Sequence, residues 1–367
     1  MKILHLTTHF NTGGITTYIL TLSQQLARLG HHVCVVSSGG NMEEDLLQAG
    51  VEHVTVDLRT KFFLSWKIFA AAPRITAMIR EKEIDVIHAH TRVTHFLAHL
   101  VSRKTGIPYV ITYHGFYHIK PVRRLFPCLG SRVISISDQV TDHLVHDFHV
   151  APDRVETIRN GINLEAFRAA SPEERERQKI LFGCEGKKVA GVIARLADVK
   201  GHRFLIDAVD LARKTLPDIF LMIIGTGREE QGLKDQVRRQ GLEDYIRFFP
   251  AARTSAGFLA AFDCFVLPSL DEGLGLVIME AQASGLPVAA SRTGGILSLI
   301  DDGKTGLLVE PGNAEALAEA LVRILSQPDL AASLGAQARE KAQQEYGAEI
   351  MTEKIVEVYE KARSNSQ

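Results

Sequence analysis

Along the chain, short apolar runs alternate with longer stretches whose apolar residues recur at helical spacing. MKILHL reads as a strand and NTGG as the turn after it. ITTYILTLSQQLARLG then reads as a helix, with Ile19, Leu22, Leu26 and Leu29 on one face and Gly30 as its stop. HHVCVVSS and VEHVTVDL are further strands, residues 65–82 are helical, and IDVIHAH, PYVITYHG, RVISIS and RVETIRNG continue the series. Such β-α-β alternation predicts a parallel sheet with helices on both faces.

Near residue 170 the texture changes. AASPEERERQKILFG is highly charged and carries a Ser-Pro-Glu-Glu helix start. The alternation then restarts with the strand KKVAGVIARL, a helix through FLIDAVDLARK, the strand IFLMIIG, a helix after GTG, and the strands IRFFP, CFVLPS and LPVAAS. A last helix, roughly residues 348–363, has no obvious strand partner. A length of 367 residues accommodates two domains. The expected division is a Rossmann-like domain over 1–165, a second over 166–345, and a terminal helix over 346–367. Ligands of open α/β sheets bind at the carboxyl ends of the strands. Gly13-Gly14, His88, His90, His114-Gly115, Asn160-Gly161, Arg195, Gly225, Gly227 and Glu272-Gly273 fall at such ends.

Apolar residues are 46% of the chain and charged residues 23%, the balance of a soluble globular enzyme. No uninterrupted apolar stretch reaches membrane-spanning length, and the apolar run at the start is too short for a signal peptide. The four cysteines are scattered, with no Cys-x-x-Cys pair, which points to a reducing cytoplasm and buried thiols. Charge divides unevenly. Residues 1–165 carry a net +3 and the remainder −4, while 59–133 alone hold 13 basic and 3 acidic residues. Fourteen of the fifteen histidines precede residue 150. The two halves therefore face different partners. Nucleic acid is not among them, since no recognition motif accompanies the basic segment.

In SLDEGLGLVIMEA, residues 269–281, a strand hands over to a helix through a glycine turn. The first amides of that helix have no internal partner and carry the positive end of its dipole, which suits a diphosphate. Glu280 is expected about two turns inside the helix, where its carboxylate can accept two hydrogen bonds from a ribose diol. Glu272, before the turn, can accept from sugar hydroxyls. As isolated acids the two would read as a solvated turn and a helix glutamate capping a neighbour. In ARLADVKG, Arg195 ends a strand and Lys200 precedes a glycine at a helix start. A guanidinium and an ammonium there can neutralise a leaving diphosphate. Gly225-Thr-Gly227 resembles part of a dinucleotide fingerprint but lacks its third glycine and following acid, and alone reads as a turn. Gly13-Gly14 opens the first helix and allows close backbone approach to a ligand. In HAHTRVTHFLAH, residues 88–99, His88 and His90 form an H-x-H pair and His95 and His99 lie one helical turn apart. Both spacings suit zinc in a hydrolase, although no Lys, His and Asp series on later strands accompanies them. His114, in TYHG, is a further strand-end histidine, for which a structural role competes with a catalytic one.

Taken together, these segments resemble the retaining GT-B glycosyltransferases of family four. EGLGLVIMEAQASGLPVAAS, with Glu272 and Glu280 eight apart, resembles the family's E-x7-E signature and the Gly-x-Pro-Val strand after it. ARLADVKG resembles its G-R-L-x-x-x-K-G segment, with Ala194 in place of glycine, and NTGG, DVIHAH, TYHG, ISISD and RNGIN resemble the corresponding stretches. The likeness runs along nearly the whole chain and is strongest over 187–325. It implies an α/β GT-B fold, two facing Rossmann-like domains with parallel sheets and an interdomain cleft, the final helix crossing back to the first domain. By position it implies that Arg195 and Lys200 bind the diphosphate, Glu280 the ribose and Glu272 the donor sugar. The amides of Gly273, Leu274 and Gly275, with Gly13, Gly14, Gly225 and Gly227, line the donor, and His114 reaches its sugar close to the reacting carbon. A front-face reaction is implied, without a protein nucleophile, in which the leaving diphosphate helps take the acceptor's proton. No metal or other cofactor is implied, because Arg195 and Lys200 supply the countercharge. Gly294-Gly295-Ile296-Leu297-Ser298 stands where the family often has Gly-Gly-x-Pro-Glu, and Phe249-Pro250 where it often has Leu-Gly, so the base is left open.

The N-terminal domain is then expected to bind the acceptor. Its basic segment contains KFFLSWKIFAAAPRITAMIR and GFYHIKPVRRLF, where cations interleave with Phe, Trp and Tyr. Such a surface can dock on anionic lipid, each Lys or Arg near the surface contributing about 1 kcal/mol. This suits a cytoplasmic protein lying peripherally at the inner face of a membrane; a basic cleft for an anionic soluble acceptor is the rival. The expected activity is transfer of a hexose-type sugar from a nucleotide-diphosphate sugar, UDP favoured, to a glycan or lipid-linked acceptor in cell-envelope polysaccharide or lipopolysaccharide synthesis. A GT-B sugar-nucleotide epimerase or hydrolase, a zinc hydrolase using His88 and His90, and a catalytically silent binding subunit are the alternatives.

Overall fold

The computed structural model describes residues 1–60, 62–117 and 128–364. The chain divides into two compact units, Met1–Ile162 together with the segment from Ala348 onward, and Asn163–Gly347.

The first unit is built on seven strands: β1 (Lys2–Leu6), β2 (His32–Ser37), β3 (Glu52–Thr55), β4 (Val86–Ala89), β5 (Tyr109–Tyr113), β6 (Arg132–Ser135) and β7 (Val155–Thr157). They form one sheet in the order β3-β2-β1-β4-β5-β6-β7, parallel throughout. All residues of β4 and β5 are buried, as expected for strands covered on both faces. Strand order reverses between β1 and β4, the position where open parallel sheets take ligands. In that pair His5 stands opposite His88.

Helix Gly14–Arg28 and helix Ala348–Ser364 share one core against this sheet. Ile19, Leu22 and Leu26 from the first meet Ile355, Val358 and Tyr359 from the second, over Ile3, Val35, Val86 and Val110. Fully burying an aliphatic or phenyl side chain of this size contributes about 1.5–3 kcal/mol. Leu29, read as part of that apolar face, instead follows the helix end and is exposed, because the helix has already stopped at Arg28. The return of the chain is pinned where it left: Ala348 N donates to Ile162 O at 3.1 Å. Gln25 and Glu349 bond across the two helices at 2.8 Å.

The second unit has six strands: β8 (Lys188–Ile193), β9 (Ile219–Ile224), β10 (Ile246–Phe249), β11 (Cys264–Leu267), β12 (Val288–Ser291) and β13 (Leu307–Val309). Their order is β10-β9-β8-β11-β12-β13, again all parallel. The reversal lies between β8 and β11. Strand β13 has only three residues and no periodicity by which to read it from sequence. On β8, a side chain at Gly191 would lie 2.1 Å from the Phe262 ring, so the ring occupies the space that glycine leaves.

The first unit also buries imidazoles. Burial pulls His5 and His95 down from 6.5 to about 3, so both are neutral in the folded chain at neutral pH. The unfolded chain binds protons at these rings below pH 6.5, while the folded chain resists until about pH 3. Their contribution to stability is therefore complete above pH 6.5 and is lost as pH falls through that window, by up to about 1.4 kcal/mol per pH unit for each ring. Urea melts of the wild type and of His95→Phe between pH 7 and 5 should give a shallower pH slope for the variant. Equal slopes would show that His95 is not held neutral.

Candidate active site

At the carboxyl ends of β8, β11 and β12, three loops pack backbone against backbone. The loop after β11 is clamped on two sides. Leu270 N donates to Val199 O at 2.7 Å on one side, and Gly295 N donates to Glu272 O at 2.8 Å on the other. Thr293 Oγ1 adds a bond to Leu270 O. No Cβ fits at these crossings: at Gly201 it would lie 2.0 Å from Pro268 O, and at Gly295 2.0 Å from Gly273 O. Gly225 and Gly227 do the same against the loop after β8, meeting Ala194 O at 2.0 Å and Leu196 O at 2.1 Å. These two glycines thus have a packing role whether or not they also meet a ligand.

The clamp fixes where the charged groups stand. Lys200 sits at the end of a short 3-10 turn, Asp198–Lys200, after β8. Its Nζ meets Glu272 Oε2 at 2.6 Å, with both side chains mostly buried, and Ser269 Oγ donates to the same carboxylate at 3.3 Å. The cation expected to be free is therefore already paired with the acid expected to hold the sugar. Lys200 keeps two of its three N–H donors for other partners. Arg195 is exposed, and its guanidinium makes no ion pair among the described residues.

Two helices begin at this spot without a side-chain cap. Helix His202–Ala212 starts after Gly201, and helix Leu276–Ala283 after Gly275, both glycines in the left-handed region at φ 66° and 97°. The orphan amides at such ends attract anions. Glu280 lies just over one turn into the second helix, nearer its start than its sequence position suggested, and is buried. Burial raises its carboxyl from 4.5 to about 7, against a smaller lowering by Ser255. Ser255 Oγ donates to Glu280 Oε2 at 2.5 Å. Ser255 escaped sequence reading, and its position just beyond the carboxyl end of β10 was the signal available. Gly295 was noted only as part of a departure from a motif.

In the first unit, the carboxyl ends of β1, β4 and β5 gather a line of histidines. His5 Nδ1 lies 2.8 Å from His90 Nε2, and His90 Nδ1 lies 3.3 Å from His114 Nε2. Tyr18, from the helix that Gly14 begins, sets its ring edge to His114 with centroids 4.8 Å apart. Gly13 precedes that helix in an extended conformation, with no side-chain cap, and a Cβ there would meet only Asn11 O at 3.9 Å. His114 is thus brought beside the helix that follows the Gly13-Gly14 turn. His5 and Tyr18 carried no sequence signal of this kind.

The same rings test the zinc reading. His5, His88 and His90 place ring nitrogens within 4.8 Å of one another. Yet His88 already bonds Tyr359 Oη through Nδ1 and Thr112 Oγ1 through Nε2, both at 2.7 Å. His90 is engaged at both nitrogens as well. Among the described residues His5 Nε2 and His95 Nε2 are left without a partner, and His99 turns instead to Tyr109 Oη at 3.2 Å. Most ring nitrogens of this cluster are already hydrogen-bonded rather than open as ligands.

Residues 12–166 match the model of Glycosyltransferase Family 4, and residues 173–341 that of Glycosyl transferases group 1. The D-inositol 3-phosphate glycosyltransferase of Frankia alni is 29% identical over 89% of this chain and 89% of its own. A glycosyltransferase from Rickettsia africae superposes with a TM-score of 0.89, at 24% identity, over 99% of each chain. Anabaena HepE, solved with UDP and glucose, gives 0.88 at 23% identity, over 98% of this chain and 99% of its own.

The bond from Ser255 opposes the effect of burial on Glu280. Ser255→Ala should therefore move the Glu280 titration above about 7. Carboxyl carbon NMR across a pH series, with Glu280→Gln to assign the signal, reads this directly. An unmoved or lowered midpoint would remove Ser255 from the site.

Proposed function

Because this chain belongs to the family 4 glycosyltransferases and has the GT-B fold, we propose that it moves a hexose-type sugar, with retention, from a UDP-sugar to a glycan or lipid-linked acceptor of cell-envelope polysaccharide or lipopolysaccharide. The observation that carries this reading is the meeting of Lys200, Glu272 and two uncapped helix starts at the reversal point of the second sheet. Arg195 and the two spare donors of Lys200 neutralise the diphosphate, with the amides of Gly273, Leu274 and Gly275. Glu272 accepts from the sugar hydroxyls and Glu280 from the ribose. In the first unit His114, beside the helix that follows the Gly13-Gly14 turn, is the candidate for contact with the sugar, and Gly225 and Gly227 hold the loop that carries Arg195. The bond from the anomeric carbon to the leaving oxygen breaks as the acceptor oxygen attacks, and the departing diphosphate takes the acceptor's proton. Two side-chain cations supply the countercharge, so the reaction runs without a metal. The UDP and glucose held by HepE favour a UDP-sugar.

For the acceptor, the supporting surface is the start of helix Trp66–Glu81 and the loop before it. Trp66 is 74% exposed, Phe62 58% and Phe69 50%, with Leu64 beside them. Arg59 and Arg74 are exposed in the same segment. Aromatic rings flanked by cations suit an anionic lipid surface and a lipid-linked acceptor. No described helix is long and apolar enough to cross a membrane. Of the basic stretch named from sequence, Lys61 and residues 118–127 lie outside the described residues.

A thermal-shift screen should single out a UDP-sugar, since a ligand bound only by the folded chain raises its melting point. Lys200→Ala should lower kcat by about 10²-fold or more, as for loss of one charge-stabilising donor, while a chelator leaves the rate unchanged. No stabilisation by any nucleotide sugar would end the donor reading. For docking, Trp66→Ala with Phe69→Ala should abolish sedimentation with anionic vesicles, and salt should weaken that of the wild type. Vesicle binding that ignores salt and both rings would end the lipid reading.

A further inference from the structure

We propose that His90 and His5 are positioning residues that fix the tautomer of His114, so that His114 presents Nδ1–H as a hydrogen-bond donor to an oxygen of the bound sugar or phosphate. The three rings form one line: His5 Nδ1 to His90 Nε2 at 2.8 Å, and His90 Nδ1 to His114 Nε2 at 3.3 Å. Burial holds all three imidazoles neutral. A neutral imidazole carries one N–H and one bare nitrogen. Each link in the line needs one of each, so all three rings must point the same way.

Two directions exist, and the buried end separates them. His5 Nε2 is buried and has no partner. If the line ran from His114 towards His5, that nitrogen would carry an N–H with nothing to receive it. In the other direction it is a bare nitrogen. Orphaned buried N–H groups are rarer in folded proteins than under-satisfied acceptors. The line therefore runs from His5 Nδ1–H to His90 Nε2, and from His90 Nδ1–H to His114 Nε2. His114 must then hold its own proton on Nδ1. His114 is only partly buried, and that nitrogen makes no hydrogen bond among the described residues. The free donor thus stands at the end of the line where a ligand or water can accept it.

Held this way, Nδ1 of His114 donates to an oxygen and takes no proton from an acceptor hydroxyl. That role rests on the sugar-transfer reading above and agrees with the leaving diphosphate as the base. The other rings nearby do not compete for these links. His88 is spent on Tyr359 and Thr112, and Tyr18 meets His114 through its ring edge.

The test is long-range proton–nitrogen NMR on the full chain with labelled histidine, ligand-free at pH 7, with His114→Gln to assign the signals. The expected pattern is a protonated Nδ1 and a bare Nε2 on His114. A protonated Nε2 overturns the proposal. His5→Leu removes the first donor of the line, whereas His5→Asn puts an amide N–H where Nδ1 stood. His114 should lose its single tautomer in His5→Leu and keep it in His5→Asn. With the UDP-sugar found in the screen, kcat should fall at least about tenfold in His5→Leu at unchanged KM and recover in His5→Asn. A fall in kcat with the tautomer intact would show that His5 serves packing alone and overturns the proposal. The ligand-free spectra stand whether or not the sugar-transfer reading holds, so failure of that reading and failure of this one are told apart.

Discussion

The second unit depends on contact between bare backbones. Four loops at the carboxyl ends of its strands cross so closely that the missing side chains of Gly201, Gly225, Gly227 and Gly295 would each sit about 2 Å from a carbonyl oxygen. Nothing larger than hydrogen fits there, and no flexible side chain stands in the way that could yield. Because the loops cannot spread, Lys200 and Glu272 meet, and two helix starts remain uncapped beside them. The chemistry of the site is a by-product of how tightly its floor is packed.

The two units solve opposite electrostatic problems. The second keeps ions: an ammonium and a carboxylate in contact, a guanidinium in water, and one carboxyl group poised near neutrality by burial. The first suppresses ions. Four of its histidines, His5, His88, His90 and His95, are deep enough that burial favours the uncharged rings, and bonds to one another, a tyrosine and a threonine take up most of the nitrogens of His5, His88 and His90. A polar core of this kind costs little only when its bonds are made.

Much of this was legible beforehand, for a physical reason. Strands of parallel sheets are buried on both faces, so IFLMII and CFVL read as unbroken apolar runs. The charged helix beginning at Ser171-Pro172 marked the change of unit because its outer face is polar. Glu272 and Glu280 stood out through their glycine context. Pairing did not show: Lys200 and Glu272 are 72 residues apart, and nothing local to either one announces the other. His5 was invisible for the same reason, since it gains meaning only from β4 lying beside β1. The three-residue β13 and the true start of the helix bearing Glu280 were lost to short range, where one residue moves a boundary.

The helix Ala348–Ser364 carries Tyr359, whose hydroxyl completes the bonds of His88 in the first unit. A ribosome makes that helix only after it has made the whole of the second unit. The half that is synthesised first must therefore wait, with a seam of apolar residues open beside helix Gly14–Arg28, while the half synthesised later can close on its own. Order of manufacture and order of completion are reversed, and the nascent chain shields or tolerates that seam until its final turns emerge.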